Sequence, residues 1–163
     1  MNHYVALLRG INVGGNAKID MKTLKETVES GPFHQVRTYI NSGNVLFDSN
    51  QDPKTVKNNL EALILERFSV KVTVIIRDRD NLALLCESFP KSWINDDTQK
   101  TDILFLSDDY DSAETVNLIK HDPTIDTLIY VSGAIGWNVS RLNYPKSGMN
   151  RFIGTTVYKN MTA

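Results

Sequence analysis

Two apolar stretches, Val36-Arg37-Thr38-Tyr39-Ile40 and Val45-Leu46-Phe47, flank Asn41-Ser42-Gly43-Asn44. Asn and Gly are the residues that tolerate the positive φ a tight hairpin needs, so this segment predicts two antiparallel strands joined by a short turn. Ser132-Gly133 stands 90 residues further on, again between apolar stretches, Leu128-Ile129-Tyr130-Val131 and Ala134-Ile135-Gly136-Trp137-Asn138-Val139. A chain with two such hairpins is committed to antiparallel sheet in two places. The segments around each hairpin then decide the fold.

Around the first hairpin they read as a complete unit. Residues 4–9 predict a strand. Asp20 can cap a helix over about 21–30, with Leu24 and Val28 four apart on one face, and Gly31-Pro32 ends it. Asp52-Pro53 opens a second helix whose stripe is Val56, Leu60, Leu63 and Ile64, and Val72-Thr73-Val74-Ile75-Ile76 reads as a buried strand. The order β-α-β-β-α-β is the ferredoxin-like pattern.

The second hairpin sits in a similar order. A linking helix over about 80–88 and a loop at Asn95-Asp96-Asp97 precede a strand at Ile103-Leu104-Phe105-Leu106. Asp111 with Glu114 resembles a capping box for a helix running to about 120, ended by His121-Asp122-Pro123. A short helix near Met149–Ile153 and a strand near Thr155–Tyr158 would complete it. The expected fold class is α+β, two ferredoxin-like halves in tandem over 1–77 and 78–163, the second cut short or divergent at its C-terminal end.

Composition narrows the function. A chain of 163 residues can bury enough surface to fold without disulfides or metal. Its net charge is −1 with no polybasic run, which argues against gripping long nucleic acid through phosphate neutralisation. The single cysteine, Cys86, predicts a reducing, cytoplasmic location, and its place in Leu82-Ala83-Leu84-Leu85-Cys86 predicts a buried structural thiol. No apolar run approaches the ~20 residues a membrane span needs, and the start, Met1-Asn2-His3-Tyr4, does not read as a signal peptide. His3, His34 and His121 are dispersed with no metal-ligand spacing, and His121 fits a helix C-terminus. There is no G-x-S-x-G elbow and no Walker A lysine, and no motif names a cofactor. Trp93 and Trp137 read as core or subunit contacts.

Leu7-Leu8-Arg9-Gly10-Ile11-Asn12-Val13-Gly14-Gly15, Met21 and Leu24, and then Arg37-Thr38-Tyr39-Ile40-Asn41-Ser42-Gly43-Asn44-Val45, closely resemble a bacterial family, domain of unknown function 1697. The likeness is strong over about the first 50 residues and looser beyond. It implies an α+β domain of two ferredoxin-like halves and assigns no activity. Members commonly carry a C-terminal Thr-Arg-Asn-Trp-Asn type stretch. Here the corresponding region holds Thr155-Thr156 and Met161-Thr162-Ala163 instead.

In such a β-α-β-β unit the first two strands point the same way, so the loop after strand one and the hairpin turn emerge at one edge of the sheet. That edge gathers Arg9, Asn12, Gly14 and Gly15 from the loop with Asn41, Ser42 and Asn44 from the turn. Lys18, Arg37 and Tyr39 would flank them. A guanidinium, carboxamides, a hydroxyl and open backbone N–H groups suit a phosphate, a nucleotide or a carboxylate. The corresponding loop of the second half, Ser107-Asp108-Asp109-Tyr110, is acidic and lacks glycine. The sequence therefore predicts a cytosolic module that binds a small anion. Two alternatives stay open: a phosphate-ester or acyl-phosphate hydrolase, with Arg9 holding the phosphate, and a non-catalytic interaction protein or homodimer. Each turn residue, taken alone, also has a purely structural use, since Asn, Ser and Gly favour hairpins for backbone reasons.

Overall fold

A computed structural model describes residues 1–14 and 17–163. The chain divides into two compact units, Met1–Asp80 and Asn81–Ala163.

The first unit runs β1 (Asn2–Arg9), α1 (Met21–Glu29), β2 (His34–Tyr39), β3 (Asn44–Ser49), α2 (Pro53–Phe68) and β4 (Thr73–Asp78). Its four strands form one antiparallel sheet in the order β2-β3-β1-β4. Side chains alternate across a strand, so Tyr4, Ala6 and Leu8 of β1, Val45 and Phe47 of β3, and Val74 and Ile76 of β4 enter one core. The helices close it with Leu24 and Val28 from α1 and Val56, Leu60 and Ile64 from α2, each no more than 1% exposed. Both helices start as the sequence predicts. The Asp20 carboxylate accepts from Thr23 N, and Asp52 accepts from Lys54 N and Thr55 N ahead of Pro53.

The second unit carries α3 (Arg79–Ser88, which begins at the end of the first), β5 (Gln99–Leu106), β6 (Asp126–Val131), β7 (Ala134–Ser140), α4 (Met149–Phe152) and β8 (Met161–Thr162). Its antiparallel sheet has the order β6-β7-β5-β8. Counted from the first strand of each sheet, the two orders are the same. One face packs Leu104, Leu106, Ile135, Trp137 and Val139 against Ile119, Met149, Phe152 and Met161. On the other face Gly136 makes room for the stacked Phe89 and Trp93, since a Cβ there would lie 2.6 Å from Phe89 and 2.8 Å from Trp93.

Four local expectations need correction. Residues 111–120 form no α-helix. Two 3-10 turns, Asp108–Tyr110 and Ala113–Leu118, stand there, and Ser112 rather than Asp111 caps the second. Asp111 is drawn away because its Oδ1 accepts from Tyr130 Oη at 2.9 Å and Gly133 N at 2.8 Å. The final strand is Met161–Thr162, beyond a 3-10 turn at Tyr158–Asn160, and not 155–158. Cys86 is exposed, because α3 turns Leu85 inward as its one buried residue.

Candidate functional site

Arg9 ends β1 and pairs with Thr73 of β4, so it is half-buried on the sheet face away from the helices. After it the chain turns through Gly10, with φ +74°, drops Ile11 into the core at 1% exposure, and reaches Asn12, a non-glycine residue at φ +55°. Asn12 is half-buried and its carboxamide is fully engaged. Its Oδ1 accepts from Ile19 N at 2.8 Å, and its Nδ2 donates to Ile19 O at 2.8 Å and Asn41 O at 3.0 Å. The side chain thus pins the loop to the start of the α1 approach and to the hairpin. Its place at the edge is that of a clamp between two bends, and it offers no free amide hydrogen to a ligand.

The hairpin is fastened to the same place. Leu8 N donates to Gly43 O at 2.9 Å. Gly43, at φ +90°, lies against Ile11, and a Cβ there would come within 2.7 Å of the Ile11 side chain. The two bends therefore meet over one buried isoleucine. Asn44 Nδ2 donates to Tyr39 O and Ser42 Oγ, both at 3.3 Å, which steadies the turn. Asn41, Ser42 and Gly14 are exposed on the rim. Gly15 lies outside the described residues.

Register places the flanking residues. Tyr39 is opposite Asn44, which is opposite Leu7, and directly opposed residues share a face. Arg37 is opposite Leu46 one row further along. Arg9, Asn44, Tyr39 and Arg37 consequently share the sheet face opposite the α1/α2 core, while Asn12, Asn41 and Ser42 form the rim at the strand ends. Lys18 is exposed in the approach to α1. The α1 N-terminus contributes little to an anion, because Asp20 already occupies it. Hydrogen bonds from the Thr23 backbone and hydroxyl hold the Asp20 carboxyl below its ordinary value, so it stays charged.

The rim also exposes apolar surface. Tyr39 is 65% exposed, Ile40 59% and Val13 53%. Ile40 has φ +50°, a conformation that costs a β-branched residue about 1–2 kcal/mol. Sequence reading missed this strain, because the turn signal around Gly43 said nothing about its neighbour. It also missed Arg77, buried at 7% exposure on β4 opposite Val5, and so in the same cross-strand row as Arg37 and Leu46. Its place two residues after Ile75 was a signal for it, since that spacing puts both on one face of β4.

The fold and edge define an α+β protein of two four-stranded antiparallel sheets whose glycine-rich first loop is fastened to its first hairpin. The family described as "Protein of unknown function (DUF1697)" matches residues 1–136, and the chain belongs to that family. Among solved structures it is similar to the conserved bacterial protein SP0830 from Streptococcus pneumoniae, with 25% sequence identity and a TM-score of 0.84 over 99% of this chain and 91% of that one. No curated protein matches the chain. Among the described residues no helix is long and apolar enough to cross a membrane, and no group of three His, Cys, Asp or Glu is placed to hold a metal ion.

Proposed function

We propose that the first unit is a cytosolic binding module for a small anion (a phosphate, a nucleotide or a carboxylate) at the edge between the β1 loop and the β2–β3 turn. The observation that supports this reading is the Asn12 clamp, which holds together the loop that begins at Arg9 and the turn that exposes Asn41 and Ser42. In this reading Arg9 supplies the charge, with Arg37 on the same face. Asn41, Ser42 and Gly14 supply donors, Asn44 shapes the turn, and Tyr39 offers a ring to the non-ionic part of the ligand. Lys18 adds a second cation in the approach to α1. The two units are further proposed to be duplicated ferredoxin-like halves, a reading supported by their common strand order and by matching bonds, Leu8 N to Gly43 O and Leu106 N to Gly133 O.

The test is titration of the isotopically labelled chain with AMP and with pyrophosphate, followed by amide NMR. The expected result is perturbation at 9–14 and 41–44 that Arg9→Ala weakens at least about tenfold, with the melting temperature within a few degrees of wild type. A large loss of stability in Arg9→Ala with unchanged ligand response would make Arg9 a structural residue and remove the reading.

A second reading, a non-catalytic interaction surface or homodimer, is favoured by the exposed Tyr39, Ile40 and Val13 and by the strained Ile40 backbone. Light scattering at high concentration tests its dimer form, and a monomeric mass would exclude it.

A further inference from the structure

The second unit holds a cavity of about 570 Å³ whose lining includes Lys120, His121, Asp122, Arg151, Phe152 and Thr155. Two of its walls are the residues that follow the 3-10 turn Ala113–Leu118 and the segment running from α4 to Thr155. One buried carboxylate cross-links these walls. Asp126, 3% exposed, accepts from Asp122 N at 3.1 Å and Gly148 N at 3.0 Å through Oδ2, while Oδ1 accepts from Trp137 Nε1 and Ser147 Oγ. Gly148 permits the approach, since a Cβ there would overlap the Lys120 carbonyl. The cavity is therefore built in advance of any ligand, which is what a binding site requires.

Its charge is chosen as well as its shape. Lys120 takes part in no ion pair among the described residues, and Arg151 makes none at contact distance, although its charge helps hold the Asp122 carboxyl below the ordinary value. The opposing carboxylate, Asp122, spends Oδ1 on Thr124 N at 2.9 Å and Thr124 Oγ1 at 2.6 Å. His121 donates Nδ1–H to Ile119 O at 2.8 Å, which leaves its Nε2 uncommitted to the backbone. The lining thus joins a guanidinium, an ammonium, an imidazole and a hydroxyl, set against one carboxylate, with an apolar wall from Phe152 and the exposed Leu118. Two cations and a hydroxyl provide more donors than a single carboxylate uses, a number that the three oxygens of a phosphoryl group can accept. The volume lies in the range of small-molecule pockets, and Phe152 and Leu118 offer an apolar side to the rest of the ligand.

We propose that this pocket is an anion site of the second unit, separate from the β1 edge, and that it takes a small organic phosphate with its phosphoryl group against Arg151 and Lys120 and its apolar part against Phe152 and Leu118. The probe is phenyl phosphate, titrated into the full labelled chain, with phenol as the uncharged control. Amides of 118–122 and 151–155 shift, Arg151→Ala and Lys120→Ala each weaken binding at least about tenfold, and Arg9→Ala leaves it within about twofold. Both cations are exposed, so the variants fold, and the same spectra report it. Absence of shifts in these two segments overturns the proposal, as do shifts that persist in both variants or that phenol reproduces. Shifts confined to 9–14 and 41–44 and removed by Arg9→Ala also overturn it while sustaining the reading of the first unit.

Discussion

Asn12 donates through Nδ2 to the carbonyl of Asn41 at 3.0 Å, a bond that joins the loop after β1 to the turn of the hairpin 29 residues away. The same side chain makes two more bonds to Ile19, from a backbone at φ +55° that asparagine tolerates better than most residues. Asn12→Ala removes three hydrogen bonds, the two to Ile19 half-buried and the one to Asn41 exposed, and strains the backbone, with an expected cost of about 2–3 kcal/mol. Urea denaturation measures it. A midpoint equal to wild type would mean that the bends hold together without the clamp.

Ile40 presents the opposite case. Its side chain is 59% exposed and buries little, while its backbone is held at φ +50°. Ile40→Asn is expected to stabilise the chain by about 0.5–1 kcal/mol, since asparagine enters this region readily. If the isoleucine is kept for a partner, the stabilised variant loses that partner, and thermal melting combined with light scattering separates the two effects.

Asp126 is the buried charge on which the second unit depends. Burial pushes its carboxyl upward, but donation from Ser147, Gly148, Trp137 and Asp122 outweighs that and leaves it below the ordinary carboxylate value. The folded state therefore holds the proton less tightly than the unfolded one. Its contribution is complete above the unfolded value of about 3.9 and is lost as pH falls through the folded value. Asp126→Ala strands several buried donors and should cost about 3 kcal/mol at neutral pH. Asp126→Asn should lose less stability than wild type between neutral pH and pH 3, as read from urea midpoints. Parallel losses in the two proteins would assign the acid sensitivity to other carboxylates.

Cys86 faces solvent. A thiol reagent such as Ellman's should therefore modify it in the native state, reaching one thiol per chain without denaturant. Reaction only after unfolding would put the thiol back in a core.

Gly136→Ala tests the packing of the second sheet. The added methyl meets Phe89 and Trp93 within 2.8 Å, and both rings stack on that face with centroids 6.0 Å apart. The expected cost is about 1–3 kcal/mol, accompanied by a change in tryptophan emission. An unaltered emission spectrum would show that the rings move aside freely.

Much of the first unit was legible because its signals are local. The Asp20 and Asp52 caps, Pro53, the stripe through Val56, Leu60 and Ile64, and the Gly43 turn each act within a few residues. The second unit was harder to read for the same reason. Asp111 and Glu114 satisfy a local capping pattern, yet Asp111 is claimed by Tyr130 and Gly133, about twenty residues away in sequence. A distant bond competes with a local one and wins, and the segment winds as 3-10 turns. Cys86 was misassigned because an apolar run such as 82–86 does not say which face of a helix is inward.

The sequence by itself determined the order of strands and helices in the first unit, that two hairpins exist, and that the loop after Arg9 and the turn at 41–44 belong to one edge. Backbone conformational preference and hydrophobic period carry that information residue by residue. Tertiary structure alone decided that Asn12 is a clamp, that Ile40 is strained, that Asp126 knots two segments, and that Lys120 and Arg151 line a common cavity. Those facts rest on bonds and packing between residues far apart in the chain, and no spacing along one strand of sequence encodes a distance in space.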